Sequence, residues 1–135
     1  MATPALELRA LRGATTAAAN TCQAIDDAVS ELIDALVDAN HLEGSRLLSV
    51  TFSVTTDLDA CFPAAIARRR PGWSEVALLD CQQMVVRGDL PRCIRLLAHA
   101  WLEAGSALVH PYLREASRLR PDRAVQPAAT SPADH

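Results

Sequence analysis

The sequence predicts one domain of α/β or α+β class, a mixed β-sheet packed with a long amphipathic helix. Three observations carry that expectation. Apolar residues recur at three- and four-residue steps through Cys22, Ile25, Val29, Leu32, Ile33, Leu36 and Val37, while Asp26, Asp27, Glu31, Asp34 and Asp38 fall mainly between them. The period then switches to two, with Leu48, Val50, Phe52 and Val54 alternating with Ser49, Thr51, Ser53 and Thr55. The chain has 135 residues, 50% of them hydrophobic and 21% charged, which suits one soluble globular core.

The elements follow in order. Leu6, Leu8 and Leu11 mark a short strand, and the small and hydroxylated run Arg12-Gly13-Ala14-Thr15-Thr16 reads as a turn or tight loop. The helix of about five turns opens at Asn20 or Thr21, either of which can cap it, and ends at Asn40-His41. The strand from Leu48 runs into a loop through Asp57 to Pro63. Ala64 to Arg70 is a short helix with proline near its first turn, stopped by Pro71-Gly72. Val76 to Cys81 is an apolar strand, Gly88-Asp89-Leu90-Pro91 a turn, and Arg92 to Trp101 a further strand, although its Leu and Ala content also allows helix. Val109 to Leu113 reads as a last strand and Glu115 to Leu119 as a short turn or helix. One domain therefore covers residues 1–122. The segment 123–135, rich in Ala, Pro, Ser and Thr and without apolar periodicity, is expected to be a disordered tail.

Composition excludes much chemistry. The formal net charge is −3, and all thirteen basic residues are arginine. A chain without lysine forms no Schiff base and carries neither a Walker-type phosphate loop nor a kinase-type lysine. The acidic balance argues against a nucleic-acid partner. No apolar run approaches bilayer length, and Met1 to Arg9 lack the order of a signal peptide, so a cytoplasmic location without a membrane partner is expected. Cys22, Cys61, Cys81 and Cys93 form no CxxC pair; reduced, mostly buried thiols are expected rather than a metal site or a disulfide framework.

No HExxH, GxSxG, GxGxxG or EF-hand pattern is present, and His41, His99, His110 and His135 are isolated. Arg69 and Arg70, at the end of the short helix, read as a solvated face. More telling are arginines where strands meet loops or lie within them: Arg12, Arg95 and Arg120. Arg95 stands inside the apolar run Ile94-Arg95-Leu96-Leu97, where a guanidinium is costly to bury unless an anion meets it. Either a salt bridge to one of the chain's acids or a pocket for a small polyanion satisfies it.

Several separated motifs then carry a resemblance. Leu11-Arg12-Gly13-Ala14-Thr15-Thr16, Thr55-Thr56-Asp57-Leu58-Asp59-Ala60 followed by Phe62-Pro63-Ala64, Gly72-Trp73, Leu90-Pro91-Arg92-Cys93-Ile94-Arg95, Tyr112-Leu113 and Leu119-Arg120-Pro121-Asp122 occur in order from about Leu8 to Asp122. In this the chain resembles the monofunctional AroH-class chorismate mutases. The resemblance implies a homotrimer with a pseudo-α/β-barrel core and active sites at the subunit interfaces. It also implies isomerisation of chorismate to prephenate without cofactor or metal. That concerted [3,3] rearrangement needs a dicarboxylate held in its reactive conformer and positive charge at the breaking ether bond.

By resemblance, Arg95 is the cation at the ether oxygen, and Arg12 and Tyr112 hold the side-chain carboxylate. Phe62 and Leu119 wall the ring, and Arg68 and Arg120 lie near the mouth. Three positions depart from the family pattern: Ala65 stands where lysine is frequent, Gln83 where a glutamate contacts the ring hydroxyl, and Asp80 where its neighbouring cysteine falls. Gln83 can still accept a hydrogen bond, and Asp80 supplies a negative charge three residues away. Two other readings accompany the mutase: the same reaction on a modified substrate such as 4-amino-4-deoxychorismate, and a non-catalytic dicarboxylate-binding trimer.

Overall fold

A computed structural model describes residues 5–121. Its elements are β1 (Leu6–Thr16), α1 (Cys22–Asn40), β2 (Leu47–Val54), α2 (Pro63–Arg68), β3 (Ala77–Gln82) and β4 (Cys93–Glu103), with 3-10 turns at Gly44–Arg46 and Arg114–Arg118. The sheet has four strands in the order β1-β4-β2-β3. Both partners of β4 run antiparallel to it, whereas β2 and β3 are parallel and joined by the crossover that contains α2. This is the expected α+β class with a mixed sheet.

Side-chain alternation divides the sheet into two faces. On one, Leu11 and Thr15 of β1, Ile94, Leu96 and Ala98 of β4 and Val50 and Phe52 of β2 are buried beneath α1, whose Ile25, Val29, Leu32, Ile33 and Leu36 are wholly buried in turn. Each such aliphatic side chain contributes roughly 1.5–3 kcal/mol by leaving water. Thr21 caps α1 by accepting from the Ala24 N–H at 3.1 Å. Asn20, the other candidate, instead fastens the loop before α2 by accepting from the Asp59 and Ala60 N–H groups. His41 closes the helix in the left-handed conformation, its φ being 50°.

On the opposite face, Leu8, Leu97, Trp101 and Leu79 are exposed. Near Ala14 this face is covered by Tyr112 and Ala116, with Leu90 and Leu119 packed against them.

Several sequence expectations change. The run Arg12 to Thr16 is not a turn: it continues β1, pairing as far as Thr16 opposite Cys93. Its small residues serve close packing instead, since a Cβ on Gly13 would lie 3.0 Å from Pro111 O and 3.2 Å from Leu32 Cδ1. Val109 to Leu113 is not a strand. It makes one parallel bridge, Tyr112 to Ala14, because Pro111 has no N–H to extend a ladder. The short helix begins at Pro63 and ends at Arg68. Beyond it, Arg69 and Arg70 are not merely solvated, since they pair with Asp26 (2.9 Å) and Asp34 (2.8 Å) on the acidic side of α1. Of the four thiols only Cys93 is buried, and Cys22 and Cys81 are exposed. No helix among the described residues is long and apolar enough to cross a membrane. Segment 123–135, the expected tail, lies outside the described residues.

Candidate active site

The β1–β4 register builds the site. Arg12 lies opposite Leu97 and Ala14 opposite Arg95, so the two arginines are diagonal neighbours on the partly covered face, with backbones roughly 7–8 Å apart. Beside β1, the segment around Tyr112 is strapped to the strand. Ala14 N–H donates to Pro111 O at 2.9 Å, Leu113 N–H donates to Ala14 O at 2.8 Å, and Arg12 N–H donates to His110 Nδ1 at 2.9 Å. These bonds satisfy an otherwise open sheet edge and seat the Tyr112 ring against Ala14.

A cavity of about 250 Å³ results, lined by Arg12, Arg95, Tyr112, Leu119 and Arg120. Three guanidiniums, a phenol and one aliphatic wall make it suited to a small anion with an apolar body. No carboxylate lies within ion-pairing distance of Arg12 among the described residues. Arg95 has one such partner: its Nη2 is 3.3 Å from Asp89 Oδ1. Asp89 also accepts through Oδ2 from Gln83 Nε2, which links Gln83 to Arg95. Gln83 is buried, and its own N–H donates to Val54 O at 2.8 Å, prolonging the β2–β3 pairing by one residue; with Asp89 it lines a neighbouring cavity of about 190 Å³. Nearby, burial pushes the Cys93 thiol up, opposed by Arg95, so it is no thiolate nucleophile.

Phe62, Ala65 and Asp80 lie elsewhere in the chain, around a second cavity of about 590 Å³ that also includes Leu58 and Cys81. Phe62 is 69% exposed. Asp80 Oδ1 accepts from the Ala64 N–H at 3.0 Å, at the start of α2. Burial raises its carboxyl, with the Ala64 N–H and the nearby Arg68 guanidinium acting in the opposite direction. Thus Arg12, Arg95, Tyr112, Leu119 and Arg120 converge and Gln83 joins them through Asp89, while Phe62, Arg68 and Asp80 form a separate group. The Thr55-Thr56-Asp57 motif sets the entry to β4. Both Asp57 oxygens accept from Arg92 N–H (3.1 and 2.9 Å), and Thr55 Oγ1 accepts from Cys93 N–H at 3.0 Å.

Comparison with known proteins shows the family. The family model described as chorismate mutase type I matches residues 8–123. The chain belongs to the type I chorismate mutase family. It is 43% identical over 117 residues to the chorismate mutase AroH of Thermus thermophilus, covering 85% of this chain and 95% of that protein. It is 33% identical over 116 residues to AroH of Bacillus subtilis (strain 168), covering 85% and 91%. A solved chorismate mutase from Clostridium thermocellum superposes with a TM-score of 0.75 at 36% identity, over 82% of this chain and 98% of that one.

Within this chorismate mutase family member, the residue that sequence reasoning missed is Asp89. Gly88-Asp89-Leu90-Pro91 reads as an ordinary turn, in which aspartate is commonplace. The turn is real, with Gly88 at φ 79° and the Leu90 N–H bonded to Asp89 Oδ1 at 2.8 Å. Its further reach to Arg95 and Gln83 depends on the β4 register and has no local signal.

Proposed function

We propose that this chain, with residues 1–122 as its one domain, isomerises chorismate to prephenate by a concerted [3,3] rearrangement. The observation that carries the proposal is the cavity in which Arg12, Arg95 and Arg120 converge beside Tyr112 and Leu119. A sigmatropic reaction asks for no nucleophile and no proton relay. It asks that a dianion be held in a folded conformer, which the arginines and Tyr112 do by gripping its carboxylates. It also asks that a fixed donor face the ether oxygen as the C–O bond breaks, which is the role assigned to Arg95. Arg95 projects from the interior of β4, and a group on a paired strand is held more firmly than one on a loop.

The working form proposed is a homotrimer with sites at its interfaces. Two features support it: the exposed apolar face that carries Leu8, Leu79, Leu97 and Trp101, and the separation of Phe62, Arg68 and Asp80 from the arginine cavity within one chain. In the trimer the Phe62 cavity of one subunit would complete the arginine cavity of the next.

The test follows the loss of chorismate absorbance and the appearance of prephenate with purified protein, alongside its mass by sedimentation. Turnover by a trimer is the expected result. Dicarboxylate binding without prephenate would overturn the catalytic reading in favour of a binding trimer.

A further inference from the structure

Asp89 stands between Arg95, which lines the arginine cavity, and Gln83, which with Asp89 lines a neighbouring cavity of about 190 Å³, and its chemistry dictates how both are turned. An ionised carboxylate only accepts hydrogen bonds. Its contact with the Gln83 amide therefore requires the NH₂ group to face Asp89 and the carbonyl to point away. Its second oxygen holds Arg95 Nη2 at 3.3 Å. What is left over is specific. Among the described residues, Gln83 Oε1 and Arg95 Nε are buried and have no hydrogen-bond partner. Gln83 is only 8% exposed, so its carbonyl is a shielded acceptor that no protein donor meets among the described residues. Buried polar atoms of this kind cost stability unless something meets them.

We propose that Asp89 is a positioning residue of the mutase site, fixing Gln83 as a hydrogen-bond acceptor toward the substrate and holding the Arg95 guanidinium with Nε free to donate. The inference rests on the mutase reading above. Without the carboxylate, the Gln83 amide has no reason to prefer one of its two orientations, and an NH₂ turned away from Asp89 would present a donor where the present arrangement offers an acceptor. The site thus works with one carboxylate and one amide in contact beside Arg95, the carboxylate coming from the Gly88–Pro91 turn rather than from β3.

A four-member cycle tests this: kcat and KM for chorismate in the wild type, Asp89→Asn, Gln83→Glu and the double variant. Asp89→Asn keeps the shape but releases the amide, and kcat is expected to fall about 10- to 100-fold, the worth of a hydrogen bond to a charged group, with less change in KM. Gln83→Glu puts two carboxylates in contact, and a comparable loss is expected. The double variant restores one carboxylate and one amide, exchanged, and kcat should return to within roughly fivefold of wild type, a coupling that a merely structural role does not produce. If Asp89→Asn fails to fold, Asp89→Ala replaces it in showing the loss. An active wild type with a neutral Asp89→Asn, or losses that simply add in the double variant, would overturn the positioning role and leave the mutase reading intact. A wild type inactive on chorismate would overturn both.

Discussion

Replacing Arg95 by alanine separates the catalytic from the structural worth of one side chain. Structurally, Arg95 makes one ion pair, at 3.3 Å, with its side chain 39% and that of Asp89 23% exposed. A pair so open to solvent contributes about 0.2–1 kcal/mol. Catalytically, it offers a strand-anchored, buried Nε to charge that develops only in the transition state. Removing one such preorganised donor costs about 2.7–4 kcal/mol, or roughly 100- to 1000-fold in kcat. The expected outcome is therefore a folded protein with a nearly unchanged melting temperature and a kcat lowered by at least roughly 100-fold. KM should change little, because the interaction strengthens as the ether bond breaks. Arg95→Lys keeps the charge but cannot both reach Asp89 and present a second donor, so its kcat should fall between the two. The assay is prephenate formation at saturating chorismate, with thermal unfolding on the same samples. A kcat for Arg95→Ala within about threefold of wild type, under roughly 0.7 kcal/mol, would refute the assignment. An activity loss matched by an equal loss of folded protein would refute the separation of roles.

Other substitutions probe the remaining parts. Trp101→Glu puts a charge on the exposed apolar sheet face; sedimentation should show smaller species and the mutase assay a parallel loss, whereas an unchanged trimer would remove that face from the proposed interface. Gly13→Ala brings a Cβ to 3.0 Å from Pro111 O and 3.2 Å from Leu32, so urea unfolding should register a loss of about 1–3 kcal/mol, with KM rising as the Tyr112 segment is pushed off β1. Asp80→Asn addresses pH. Burial raises the Asp80 carboxyl in the folded state, so the folded protein binds the proton more tightly than the unfolded chain. Stability from this group is accordingly present at low pH and lost as pH rises through the raised value. Urea titrations across that window should show Asp80→Asn without this decline and more stable than wild type above it; the opposite order would mean that Arg68 and the Ala64 N–H outweigh burial.

What was legible in the sequence follows from how local each signal is. The 3.6-residue period of α1 and the alternation of β2 are written within single segments, and the structure keeps both. The stretch Arg12 to Thr16 misled because small and hydroxylated residues suit a turn and equally suit a strand closely covered by a helix and by Pro111. Only the tertiary contact decides. Val109 to Leu113 has strand-like residues but a proline at the position that would have to donate. Arg69 and Arg70 lie far in sequence from Asp26 and Asp34, and nothing within their own segment announces those partners. The candidate site was legible as a set of separated motifs. Asp89 was not, for a turn aspartate reaching an arginine on the following strand looks like any other turn aspartate.

The diagonal placement of Arg12 and Arg95 on neighbouring strands has an energetic consequence beyond catalysis. Folding brings two like charges to the lining of one cavity, where Asp89 offsets only that of Arg95. A dianion settling between them removes that repulsion, so part of the free energy of ligand binding is also free energy of folding. Affinity and thermal stability are then two readings of one thermodynamic linkage: a dicarboxylate at a hundred times its Kd should stabilise the chain by about 2.7 kcal/mol, and salt, by screening the same repulsion, should raise the stability of the free protein while weakening its grip on the ligand.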